Sequence, residues 1–305
     1  MKIPTWSVAV FGILCFACTS AGKAAENIPR VVASIKPIHA LVSAIMTGIG
    51  TPHLLISSTD SPHTYQLKPS GARLLAKANI IFWIGPTMES FLEKALQTLP
   101  QNAQVVSLLD SPRVNLLTAP IDHISHSHEE NESVDMHAWL DPTNARAMAA
   151  HIATVLTAID AANSRVYGQN AITLDGRLAE LDRRLTETLR PVLDHTYIVF
   201  HDAYQYFEKR YNLSKAFAIN TNLHQLPGAK RISTIREKIR ELGSVCIFVE
   251  PQFSPTLMKT ITENTGARIA VLDPLGAALK PEPELYFYLL EGMANDLMRC
   301  LGTSS

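Results

Sequence analysis

The chain has 305 residues, with 27 Lys and Arg set against 28 Asp and Glu, for a formal net charge of −1. That balance, with no dense basic block, argues against nucleic acid or an anionic membrane surface as the main partner. The length is enough to bury cores in two domains of about 100 to 200 residues each.

At the N-terminus, one basic residue precedes an apolar run from Val8 to Cys18, and small residues follow around Ala21 and Ala24. This pattern predicts a cleaved secretory signal peptide over residues 1–25. The run is shorter than the roughly 20 apolar residues a membrane span needs, and no later segment reaches that length without charges. A lipid anchor on Cys18 is the alternative, but Cys15 and Phe16 match a lipoprotein signal poorly.

Beyond it, short apolar runs alternate with helical patterns, the mark of parallel sheets flanked by helices. Strands are expected at Arg30–Ser34, His53–Ile56, Asn79–Ile84 and Val105–Ser107, and helices at Ile38–Thr47 and Ser70–Ala78, the second opened by Pro69 and a Ser70 cap. Over Ser164–Arg190, Val166, Leu174, Leu178, Leu181, Leu185 and Leu189 recur at steps of mostly three and four, which predicts one long amphipathic helix. At about 1.5 Å per residue it would span roughly 40 Å, enough for a spine between two domains. An ordinary surface helix inside one domain is the other reading. Strands then resume at Tyr197–Phe200, Lys215–Ile219, Val245–Val249 and Ile269–Leu272, with helices at Lys230–Leu242, Thr256–Thr265 and Leu285–Leu301. The expected fold is α/β: an N-terminal lobe over 26–162, a linker helix over 163–192 and a C-terminal lobe over 193–305.

Of four cysteines, Cys15 and Cys18 would leave with the signal peptide. In an exported chain the remaining pair, Cys246 and Cys300, favours a disulfide over two buried thiols, and closing so long a loop is worth about 4 kcal/mol. It would pin the last helix to the strand that carries Cys246. Neither has a partner at CxxC spacing, so a cysteine metal site is not expected.

Chemistry-bearing residues gather where strands end: His63 in SPHTYQLKPS, His137 in DMHAWLDP, His201 in YIVFHDAYQYF and Asp273 in AVLDPLG. Ligands in open parallel sheets bind outside the carboxyl ends of strands, so both lobes point donors into one cleft. Three imidazoles and a carboxylate suit one zinc ion, whereas magnesium takes carboxylates and water. For Asp273, an Asp before Pro at a strand end is also a common turn residue.

Read in order, PHTYQLKPS, FWIGPTMESFL, DMHAWLDP, FHDAYQYFEKRY, PGAKRISTIREKI, CIFVEPQFSP and LDPLG resemble the metal-binding proteins of zinc and manganese ABC importers, most closely the periplasmic zinc-uptake branch. The resemblance runs across nearly the whole mature chain. It implies two α/β lobes joined by a rigid helix, a Zn2+ ion between them and delivery to a membrane permease. It assigns the ligand positions to His63, His137 and His201, with Asp273 or a water as the fourth donor, and implies a Cys246–Cys300 disulfide. In manganese-type relatives the His201 position is a glutamate, so histidine here favours zinc, the metal imidazole suits.

Two departures stand out. Pro62 occupies a position that is glutamate in some zinc-uptake relatives, so no carboxylate comes from there. The segment DHISHSHEENESVDMH, with His123, His126 and His128, resembles their His-rich loop but is short. It and His224 are expected as a weak secondary metal site, against a plain solvated loop. Asp202 and Glu250 are expected to orient imidazoles or to cap strand ends. His39, His53, His151 and His195 read as structural or surface residues. The chain is expected to be a monomeric periplasmic carrier and not an enzyme. A manganese or iron importer protein of the same family and a secreted zinc hydrolase are the alternatives, though no HExxH motif supports the latter.

Overall fold

The computed structural model describes residues 28–57, 60–99, 102–119, 134–220, 228–243, 245–253 and 255–302. The expected signal peptide with Cys15 and Cys18, the tract with His123, His126 and His128, and His224 lie outside the described residues.

In the first lobe β1 (Val31–Ala33), β2 (His53–Leu54), β3 (Ile80–Trp83) and β4 (Gln104–Ser107) form a parallel sheet in the order β2-β1-β3-β4. Around them run α1 (Lys36–Ile45), α2 (Pro69–Ala76), α3 (Ser90–Thr98) and α4 (Pro142–Ile159). After the long helix α5 (Ser164–Leu189), the second lobe repeats the plan: β5 (Tyr197–His201), β6 (Phe217–Asn220), β7 (Cys246–Val249) and β8 (Arg268–Val271) pair in parallel as β6-β5-β7-β8. Its helices are α6 (Gln205–Tyr211), α7 (Ala229–Leu242), α8 (Pro255–Thr262) and α9 (Leu285–Leu301). In each lobe the chain's first strand lies centrally with its third beside it, so the crevice at the carboxyl ends opens at the same place.

Period-two alternation divides the sheets cleanly. Val32, Ile81 and Trp83 turn outward to join Leu75 and Leu92 of α2 and α3, while Val31, Ala33, Ile80 and Phe82 turn inward. In the second lobe Ile198, Phe200 and Ile247 face Ile235 and Ile239 of α7, while Tyr197, Val199 and Phe248 face the opposite way. The two inward sets belong to one continuous core with α1, α4, α5 and α9. Strands covered on both faces need the near-continuous apolar runs seen in the sequence.

Helix α5 buries Tyr167, Leu174, Leu178, Leu181, Leu185 and Leu189, so Tyr167 takes the place in the stripe expected of Val166. It packs on α1 and α4 of the first lobe and on α6 and α9 of the second, which rules out a surface helix of one domain. Polar bonds fix both ends. Asn170 Nδ2 donates to Ile45 O at 2.8 Å, and Arg210 and Tyr211 of α6 both bond Asp182. Helix α9 crosses to α1 and is tied to β7 by the Cys246–Cys300 disulfide, which closes a loop of 54 residues.

Helix starts differ from the sequence expectation. Lys68 is the N-cap of α2 and makes no side-chain capping bond; Pro69 is its first residue, so Ser70 lies inside the helix. Proline lacks the N–H that a first turn leaves unpaired, and its φ is already helical. Helix α1 likewise begins before Pro37, at Lys36.

Candidate metal centre

Each histidine is presented by a local device. The Thr64 amide donates to Ser61 O at 3.2 Å, closing a turn with Pro62 and His63 at its centre. Proline presets φ at the first central position, so Pro62 serves to aim His63 into the cleft. His137 precedes a 3-10 turn closed by Leu140 N to His137 O at 3.0 Å; Asp141 then caps α4 by accepting from Thr143 N at 2.7 Å. His201 ends β5, and alternation places it with Tyr197 and Val199 on the inward face.

These three side chains converge. Their ring centroids lie 5.0 to 5.5 Å apart, and one ligand atom from each falls within 4.8 Å of the others. His137 and His201 are buried and His63 half-buried. It is the one such group among the described residues.

Two carboxylates turn the imidazoles. Asp135 Oδ1 accepts from His137 N at 3.0 Å and lies 2.8 Å from its Nδ1. Glu250 Oε1 lies 2.9 Å from His201 Nδ1. Val199 is opposite Phe248 in the β5–β7 register, so two positions on, His201 comes opposite Glu250. A proton on each Nδ1, donated to the carboxylate, leaves the Nε2 lone pair for a metal. Asp135 was not singled out from the sequence, although Asp two residues before a ligand histidine was there to read. Asp202 lies within electrostatic reach of His137, His201 and Asp135, and burial, its largest influence, pushes its carboxyl up.

Asp273 is not brought into the histidine group. Its Oδ1 accepts from Leu275 N and Gly276 N, both at 3.0 Å, and its Oδ2 from Ala277 N at 2.6 Å, which is turn chemistry. Burial raises its pKa, the loop amides lower it, and the Glu250 charge raises it. His39 is a core residue, with Nε2 3.1 Å from Pro52 O.

The family model described as zinc-uptake complex component A, periplasmic, matches residues 31–300. A high-affinity zinc uptake system protein ZnuA from Brucella abortus is 41 % identical, over 89 % of this chain and 91 % of its own. Its counterpart from Paracoccus denitrificans is 35 % identical over 93 % and 95 %. Among solved structures, a ZnuA crystal structure is similar at TM-score 0.77 and 24 % identity, covering 90 % of this chain and all of its own. A ZnuA deletion mutant with zinc bound is similar at TM-score 0.76 and 25 % identity, covering 90 % and 98 %. Fold, extent of match and the histidine group agree: the chain belongs to the ZnuA family of periplasmic zinc-uptake components.

Proposed function

We propose that the protein captures Zn2+ in the periplasm, after removal of its signal peptide, and hands it as a monomer to the membrane permease of an ABC importer. It is a binding protein, not an enzyme. His63, His137 and His201 supply three nitrogen donors, and Asp273 becomes the fourth when its carboxylate gives up the amides of its own loop. A shell closed by protein donors holds metal without opening a position for chemistry. His123, His126, His128 and His224 extend this reading as weaker secondary donors. Among the described residues, no helix is long and apolar enough to cross a membrane.

The observation that carries the reading is the convergence of three imidazoles, two of them buried and turned by carboxylates, from both lobes. Three imidazoles favour zinc over manganese, which prefers oxygen donors. The test is competition against a calibrated chelator, with signal-free apo protein and either metal. One sub-micromolar zinc site with far weaker manganese is expected. Comparable manganese affinity overturns the metal assignment, and the absence of any tight site overturns the carrier reading.

A further inference from the structure

Lys36 occupies a position that local rules disfavour. It is the first residue of α1, where the exposed amides of a helix repel a cation, and it is buried. The first turn of α1 holds no acidic residue to offset it. A long cationic side chain is kept there when something else uses it, and here the user is the other lobe. Lys36 Nζ donates to Ala277 O at 2.6 Å, Leu279 O at 3.1 Å and Gly276 O at 3.3 Å, which engages all three ammonium protons.

The segment it grips is the one whose amides hold Asp273. Carbonyls of residues 276, 277 and 279 face Lys36, while amides of 275, 276 and 277 face the carboxylate. Asp273 is close enough for its charge to act on the ammonium, opposing the burial that lowers the Lys36 pKa. Gly276 turns the loop at φ +68°, where an added Cβ would meet Leu279 and Leu285. A second first-lobe side chain holds the same loop: Trp139, two residues from His137, donates Nε1–H to Pro274 O at 2.9 Å.

We infer that Lys36 is a positioning residue for metal release: it latches loop 273–279 in the form that keeps the Asp273 carboxylate on its own backbone and away from the ion. The inference rests on Asp273 being the fourth donor. Turning Asp273 toward zinc costs three amide bonds, and Lys36 raises that cost by holding the peptide unit of Gly276 O and Ala277 N from its carbonyl side, with the carbonyls of Ala277 and Leu279 beyond it. The latch therefore favours the shell of three histidines, from which zinc leaves sooner, and a carrier that must hand its ion on gains from it.

The test is a double-mutant cycle on the zinc-loaded, disulfide-intact mature protein, reading the rate of zinc release into excess chelator. Asp273→Asn alone is expected to speed release. Lys36→Met, which keeps the apolar stem, is expected to slow release about fivefold with Asp273 present and to change nothing when combined with Asp273→Asn, a coupling of ordinary size for groups in one network. Lys36→Arg keeps charge and donors and is expected to restore the wild-type rate. Faster release in Lys36→Met, or an equal change in both backgrounds, overturns the latch while leaving the ligand reading intact. Wild-type release from Asp273→Asn removes Asp273 from the shell and overturns the premise. Should Lys36→Met fail to fold, Trp139→Phe, which frees Pro274 O, enters the same cycle with the same expected slowing.

Discussion

The Nδ1 of His201 and the Oε1 of Glu250 meet at 2.9 Å across the β5–β7 pair, joining residues 49 positions apart in the chain. Both side chains are buried, so the bond is neither screened by solvent nor replaced by water. It fixes the ring angle and the tautomer together. Glu250→Gln keeps the shape and an acceptor oxygen but removes the charge that makes the imidazole a better donor. Zinc affinity, measured by chelator competition, is expected to fall about tenfold, as for other partners of metal-bound histidines. An unchanged affinity would reduce Glu250 to a strand-end cap.

How much of this was legible depends on whether the partner is local. The sheets and long helix could be read because strand alternation and a leucine stripe are properties of consecutive residues, and Leu285–Leu301 matches its expected bounds. The three histidines could be read because each ends a strand or sits in a turn rich in Pro and Asp. Asp273 carries two messages in one dipeptide: Asp-Pro after a strand is a turn signal as well as a donor, and the turn is what forms. Lys36 and Trp139 were opaque, since their acceptors lie 240 and 135 positions away and nothing in SIKPIHAL or HAWLDP names them.

Zinc should be released by acid. Imidazole binds metal only when neutral, so each of the three histidines that takes up a proton competes directly with the ion. Zinc affinity is expected to be lower at about pH 5 than at about pH 7.5, because protons compete with the metal for imidazole nitrogen. A profile flat across that interval would exclude imidazole ligation.

Glu89 sets a different pH dependence, this time of folding. Its side chain is fully buried, and Oε2 accepts from Ile84 N at 2.9 Å and Gly85 N at 3.1 Å. Burial outweighs these bonds and pushes its pKa up to about 7 from an ordinary 4.5. The folded state therefore holds the proton more tightly than the unfolded chain, an advantage complete below the ordinary value and lost as pH rises through about 7. Glu89→Gln stays neutral throughout and should raise the unfolding midpoint at pH 8, where the ionisable side chain costs up to about 3 kcal/mol. At about pH 4, below the ordinary value, the gap over wild type should have closed to little or nothing. A gap that stays constant between the two pH values would show that Glu89 does not titrate in this range.

The disulfide separates stability from binding. Cys246 lies on β7, which ends at Val249 just before Glu250, and Cys300 lies on α9, so the bridge ties an interior strand of the second sheet to the helix that also packs on α1 and α5. Replacing both cysteines by serine opens a 54-residue loop in the unfolded chain, worth about 4 kcal/mol in the chain-entropy model. The unfolding midpoint of the apo protein should drop accordingly. The His201–Glu250 bond, however, is set by the β5–β7 register, which backbone bonds maintain without the bridge. Zinc affinity at a temperature where the variant is folded should therefore stay within about threefold of wild type, a change of well under 1 kcal/mol. A much larger loss of affinity would mean that α9, not the sheet register, holds Glu250 against His201.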